Sequence, residues 1–147
     1  MRTLAIDLGS RRVGLAMSDE GARFATPYEV LQVTSVEAAI EPVVKIVRDE
    51  GVARVVVGLP LNMDDSVGPQ AKAAVVWGTK LSQVANVSVV YVDERLSSFA
   101  AEQSLNDRKR GGEKMTRGQK KQQLDAIAAA DFLQAFLDGR LSAIEMG

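Results

Sequence analysis

Three acidic residues stand where acids are costly. Asp7 interrupts the apolar run Leu4-Ala5-Ile6-Asp7-Leu8-Gly9, which otherwise reads as a buried strand. Glu94 lies just past a second apolar run, residues 87–92, at the kind of strand end where open parallel sheets bind ligands. Asp125 shares a helical stripe with Ala129, Phe132 and Phe136, by spacings of three and four residues. A buried carboxylate needs compensation. For Asp7 it can come from Arg11 or Arg12, from backbone donors or from a divalent cation. Asp93 and Arg95 offer Glu94 a local ion-pair cluster, and Lys121 stands one turn before Asp125. Structural salt bridges are the competing explanation at each position. If the three acids converge, they form an all-oxygen site suited to Mg²⁺ or Mn²⁺. Combined with a basic segment at residues 108–121 and no histidine, the chemistry that fits such a site is metal-assisted phosphodiester hydrolysis.

Composition narrows the alternatives. The chain of 147 residues has neither cysteine nor histidine. Disulfide frameworks, thiolate nucleophiles, Ser-His-Asp triads and His-ligated zinc are therefore excluded. Catalysis would have to run on carboxylates, lysines, hydroxyls, backbone dipoles or a hard metal ion. No apolar run is long enough to cross a bilayer, and no secretory signal precedes the first strand pattern, so the expected location is the cytoplasm.

The net charge of −1 conceals an asymmetry. Residues 108–121 carry Arg108, Lys109, Arg110, Lys114, Arg117, Lys120 and Lys121 against the single acid Glu113, a net +6 that leaves −7 on the remainder. Gly111, Gly112 and Gly118 lie in the same segment, which predicts a mobile basic loop. Clustered Lys and Arg neutralise phosphates and release counterions, so a polyanion contact is favoured over a merely solvated loop. The segment has no aromatic residue with which to stack a base.

The elements that must position these residues follow from the patterning. Strands are expected over residues 3–9, 13–18 and 26–33, with connections short enough for an antiparallel meander. A helix is expected over 35–50, opened by a capping box of Thr34 with Glu37, kinked or divided at Pro42 and closed by Gly51. The unbroken Val55-Val56-Val57 predicts a strand over 54–59 buried on both faces. A loop over 60–68 then leads to a helix over 69–84 and a strand over 87–92. Further helices are expected over 97–105 and 119–137, followed by a short tail, 138–147. Strand–helix–strand units imply right-handed crossovers and parallel pairing. The expected fold is one α/β domain spanning 1–147: a mixed five-stranded sheet, three strands antiparallel and then two parallel, with helices on both faces.

With these blocks in order, the chain resembles the YqgF-type nucleases of the RuvC-like branch of the ribonuclease H-like fold. The resemblance runs from about residue 2 to 137. It is carried by Asp7-Leu8-Gly9 with Arg12-Val13-Gly14, by Val57-Gly58-Leu59-Pro60-Leu61-Asn62-Met63-Asp64, by Asp93-Glu94-Arg95-Leu96-Ser97, and by residues 121–125 with the alanines that follow. It implies that Asp7, Glu94 and Asp125 match the family's metal-binding acids, with Mg²⁺ or Mn²⁺ as cofactor. It implies maturation of the 5′ end of 16S ribosomal RNA from its precursor, on a free transcript or a ribosomal particle, with Holliday-junction resolution as the alternative activity. Expected nucleic-acid contacts are Arg11, Arg12, Asn62, Arg95 and the basic residues of 108–121.

Two positions depart from the family pattern. Asp65 stands where glycine is usual; a glycine there suggests a positive φ or a close backbone approach, and Asp tolerates the former but adds a charge beside any bound phosphate. Ala128 stands where related resolvases carry another acid, which leaves room for one tightly held ion and a second recruited with substrate. A junction resolvase needs a symmetric dimer, and Trp77 with Val76 is the candidate seam, although a core role for Trp77 is preferred; the chain is expected to be a monomer or a homodimer. Asp7-x-Gly9 with Gly14 also resembles the phosphate-binding hairpin of actin-like ATP-binding proteins, but the chain is too short for their two lobes. A non-catalytic RNA-binding scaffold would not need all three acids.

Overall fold

The computed structural model describes residues 1–95 and 117–144, with the backbone alone for 117–123. Five strands form one sheet: β1 (Arg2–Leu8), β2 (Arg12–Ser18), β3 (Ala25–Gln32), β4 (Val52–Leu59) and β5 (Ser88–Asp93). Their order across the sheet is β3-β2-β1-β4-β5. β1, β2 and β3 pair antiparallel, whereas β1–β4 and β4–β5 are parallel. The expected mixed sheet is thus formed, and β1, which carries Asp7, lies at its centre. The turn between β1 and β2 is closed by Gly9 N–H donating to the Arg12 carbonyl at 2.9 Å.

Residue parity divides the sheet into two chemically different faces. On one face Leu4, Ile6, Val13, Leu15, Val55, Val57 and Leu59 are fully buried. They pack under α1 (Ile40–Asp49) and α2 (Pro69–Ala85). α1 contributes Ile40, Val43 and Val47, and α2 contributes Ala71, Ala74, Trp77 and Leu81, each a helical stripe. On the other face the sheet presents small residues, Ala5 and Ala16 among them, to Ala129, Phe132 and Leu133 of α3 (Arg117–Leu137). Both faces are therefore covered, as the unbroken valines of β4 predict.

The edges are managed differently. β3 is a largely exposed edge strand, and its register shifts opposite Leu15 and Ala16, next to Pro27. Proline and a bulge both discourage pairing with another chain. At the opposite edge the tail turns back, and Ile144 N–H donates to the Tyr91 carbonyl of β5 at 2.7 Å.

Two local expectations need adjustment. The Thr34–Glu37 capping box does not form: the segment opens with a 3-10 turn, Glu37–Ala39, that has no side-chain cap, and Ser35 Oγ accepts the Ala38 N–H at 3.3 Å instead. Pro42 falls in the first turn of α1, where an N–H is dispensable, so the 3-10 turn and α1 divide the expected helix without an internal kink. Gly51 follows α1 at φ +64°, as expected of a terminating glycine. The expected helix over 97–105 and the basic residues Arg108, Lys109, Arg110 and Lys114 lie outside the described residues. α3 begins at Arg117, so the last part of the expected basic loop, with Arg117, Lys120 and Lys121, belongs to its first turns.

Trp77 is a core residue, 3% exposed, whereas its neighbour Val76 is 69% exposed. The Trp77 indole N–H donates to the Val36 carbonyl at 2.6 Å and ties α2 to the approach to α1. The Val36 carbonyl also accepts the Ala39 N–H at 3.1 Å, so Trp77→Phe should cost only the net worth of one hydrogen bond, about 0.5–1.5 kcal/mol. Urea denaturation measures this, and an unchanged midpoint would show that the bond contributes nothing.

Candidate active site

Asp7 occupies the next-to-last position of β1, on the face covered by α3, and its register partner on β2 is Gly14. A Cβ at Gly14 would collide with the Asp125 carbonyl oxygen and stand 2.9 Å from the Asp125 Cβ. The absence of a side chain at Gly14 therefore lets α3 approach β2 closely enough to bring Asp125 beside Asp7. Gly58 does the same on the other side of β1. A Cβ there would lie 2.9 Å from the Glu94 Cβ and 3.0 Å from the Phe132 ring. Glu94 follows β5 and has the parity of Val92, which turns it toward the α3 face. Its N–H donates to the Leu59 carbonyl at 3.2 Å, fixing it against the end of β4.

The acids are compensated in two different ways. The Asp7 and Glu94 carboxyls are hydrogen-bonded to each other. Asp125 Oδ2 pairs with Arg12 Nε at 2.9 Å. Arg12 is thus the observed partner of Asp125, because β2 and α3 are in contact at Gly14, and the Lys121 side chain lies outside the described residues. A cleft of about 400 Å³ opens beside this pair, lined by Asp7, Gly9, Ser10, Arg11, Arg12 and Asp125. Arg11 is exposed at its mouth. In this arrangement no three acids among the described residues stand ready around one cation position. A proton bridges two of the acids, and a guanidinium holds the third.

Asn62 and Arg95 belong to a second cluster at the same end of β4 and β5. The Asn62 side chain is turned into its own loop and donates to Ser66 Oγ at 2.9 Å. Arg95 contacts Asp93 through Nε at 2.9 Å and reaches Asp65 at 2.6 Å. Asp65 adopts φ +68°, the positive value expected of a residue that replaces glycine. The roles of Gly14, Gly58 and Arg12 were not anticipated. The signal for the glycines was present in parity, since Gly14 and Gly58 share a sheet face with Ala5 and Ala16.

Comparison with known proteins gives this arrangement a family. The sequence profile of RuvX, described as a Holliday junction resolvase, matches residues 1–139. The chain belongs to the RuvX family. It is 42% identical over 139 residues to a protein of Chloroflexus aurantiacus named "Putative pre-16S rRNA nuclease", covering 95% of this chain and 88% of that one. A protein of the same name from Caldanaerobacter subterraneus subsp. tengcongensis is 36% identical over 140 residues, covering 95% and 98%. Among solved structures, Thermus thermophilus RuvC in complex with a Holliday junction superposes with a TM-score of 0.60 at 19% identity, covering 98% of this chain and all of that one. Fowlpox virus resolvase with junction DNA gives 0.56 at 8% identity, covering 95% and 98%. At those identities the likeness concerns the fold: this RuvX-family chain has the RuvC-like, ribonuclease H-like architecture.

The electrostatics of this RuvX-family site follow from burial among like charges. Burial raises the Asp7 carboxyl above its ordinary range, the hydrogen bond from Glu94 opposes that, and the charge of Asp125 adds to it. Glu94 is pushed up to about 9, first by burial and then by the Asp7 charge. Asp125 is raised by burial, with Arg12 acting in the opposite direction. At neutral pH Glu94 therefore holds its proton and donates it to Asp7.

These shifts have a signed consequence. An acid whose folded value is raised stabilises the fold below its unfolded value and loses that contribution as pH rises toward the folded one. For Glu94 the window runs from 4.5 to about 9. In the presence of EDTA, the denaturation midpoint should fall across this window. Glu94→Gln should flatten the fall, and identical pH profiles for the two proteins would refute the shared proton. Gly14→Ala should separately destabilise by about 1–3 kcal/mol, because α3 has to move off β2. Calorimetry tests this, and a wild-type melting temperature would mean that the close approach is not required.

Proposed function

We propose that this chain is a metal-dependent nuclease that matures the 5′ end of 16S ribosomal RNA from its precursor in the cytoplasm, acting on the transcript or on a ribosomal particle. The observation that carries the reading is the juxtaposition of Asp7 with Glu94 and Asp125 across two glycine gaps, in a chain 42% identical to a protein named as a pre-16S rRNA nuclease. The donor set fits Mg²⁺ or Mn²⁺: it is all oxygen, and both the shared proton and Arg12 mark places where positive charge is in demand. Asp7, Glu94 and Asp125 would hold the ion. When bound, it activates water and offsets charge on the leaving oxygen. The chain's own groups do the rest. Asp7 is fixed by the central strand, Glu94 by its backbone bond to β4, and Asp125 by the rigid span of α3. Arg11 and Arg12 at the cleft, with the basic residues of 108–121, would attract the phosphate backbone.

Holliday-junction resolution is the second reading, favoured by the description of the family profile. It requires a homodimer with two such sites facing one junction. Cleavage of precursor 16S RNA and of a four-way DNA junction, each with and without Mg²⁺ or Mn²⁺, separates the two. Ends mapped to the mature 5′ terminus would support the first, and paired symmetric nicks in the junction the second.

Asp7→Asn removes a ligand charge with almost no change of shape. The variant should fold and lose metal-dependent cleavage by orders of magnitude. A saturating cation stabilises a protein by about 2.7 kcal/mol when present at a hundred times its dissociation constant. Mn²⁺ should therefore raise the wild-type melting temperature and leave that of Asp7→Asn unmoved. Full activity in the pure variant, or an equal Mn²⁺ shift in both proteins, would remove the metal-carboxylate mechanism.

A further inference from the structure

Arg95 follows Glu94 directly and is the cation nearest to that end of the sheet in sequence. Its guanidinium engages Asp93 through Nε and Nη2, the Asn62 carbonyl through Nη1, and Asp65 through Nη2 at 2.6 Å. One positive charge thus serves two carboxylates. The two partners are unequal. Asp93 is 16% exposed, lies at the end of β5, and is held below the ordinary carboxylate range by its bonds from Arg95. Asp65 is 82% exposed and sits at a loop tip. An ion pair so open to water contributes little to stability.

The loop does not need the Asp65 carboxylate to keep its shape. Asn62 N–H donates to the Ser66 carbonyl at 3.0 Å, and Asp65 N–H donates to the Asn62 carbonyl at 2.9 Å. Asn62 Nδ2 donates to Ser66 Oγ, and Asp64 Oδ1 accepts the Ser66 N–H at 3.0 Å. These bonds set the turn, including the positive φ at Asp65. What the Asp65 carboxylate does is fill the outer donor position of Arg95 with an anionic oxygen. A phosphate oxygen would use the same position, because guanidinium forks match carboxylate and phosphate alike.

We propose that Asp65 is a built-in competitor for the phosphate-binding position of Arg95, displaced by a backbone phosphate of a nucleic-acid strand, so that Asp65 sets how tightly the strand is held beside Glu94. This rests on the nucleic-acid reading above. Asp93 remains on Arg95 throughout and keeps the guanidinium aimed when Asp65 leaves.

The test is binding of a fluorescent single-stranded RNA oligonucleotide without divalent cation, at low salt, followed by anisotropy. Asp65→Asn keeps the tolerance for positive φ and removes the competing charge. It should bind about 3- to 10-fold tighter than wild type, the scale of an exposed ion pair relieved near a phosphate. The gain should disappear in an Arg95→Gln background and shrink in an Arg95→Lys background, which retains the charge but not the fork. Asp49→Asn, an exposed acid at the far end of α1, controls for net charge. Unchanged or weaker binding by Asp65→Asn overturns the proposal, as does an equal gain in Asp49→Asn or a gain that persists without Arg95. Wild-type protein that binds no oligonucleotide overturns this proposal and the nucleic-acid reading together, whereas wild-type binding with no effect of Asp65→Asn overturns this one alone.

Discussion

The placement of a carboxylate on the central strand dictates much of what surrounds it. Asp7 is flanked by β2 and β4, so every group that contacts it must come over a neighbouring strand or past a strand end. Over β2 the route is cleared by Gly14, and over β4 by Gly58. Without those gaps α3 would ride higher on the sheet, Asp125 would be withdrawn, and Glu94 could not fold back beside Asp7. The glycines weaken their strands and leave them without side chains to pack. That cost falls on the face that carries the three acids.

The opposite face supplies what the site face lacks. Under α1 and α2 the sheet is lined by Leu, Ile and Val that are fully buried, and Trp77 ties α2 to the approach to α1 through the Val36 carbonyl. Apolar burial of this kind is the main source of folding free energy. It lets the α3 face tolerate two glycines, clustered acids and a half-exposed arginine. Phe132 and Leu133 keep α3 attached close to the acids, so the helix is anchored by its apolar stripe while Asp125 stands at the stripe's edge. The larger apolar core and the clustered acids thus occupy different sides of one sheet.

The sequence made the sheet legible because periodicity is a local property. Alternation located the meander, and the unbroken valines of β4 announced burial on two faces. Asp125 was recognisable as an acid on an apolar stripe for the same reason. Partnership was less legible, since it depends on which surfaces meet. Lys121 stands one turn before Asp125 in the sequence, with its side chain outside the described residues, and the partner that is seen is Arg12 on β2, more than a hundred positions away in the chain. The hydrogen bond between Glu94 and Asp7 was likewise invisible, because it follows from burial of both acids together. The capping box failed for a related reason: a fitting sequence of Thr34 and Glu37 yielded to a 3-10 turn preceded by Val36, whose carbonyl also accepts the Trp77 indole N–H.

Positive charge is distributed around the acids at several depths. Nearest is the proton held between Glu94 and Asp7, then the Arg12 guanidinium on Asp125, then Arg95 on Asp93 and Asp65. The proton is covalently held by Glu94 and exchangeable, whereas the two guanidinium contacts are ionic. The two guanidinium contacts are partly open to water, where an anion can compete for the arginine and a cation for the carboxylate. A phosphodiester strand carrying a divalent ion offers both exchanges at once: phosphate for the arginines and metal for the acids. Such reciprocal exchange conserves charge balance at every step, so neither the loaded nor the unloaded site has to bury a large net charge. Under the proposed function the substrate would arrive as a salt, and the ion pairs seen here are the contacts that its phosphates and metal would replace.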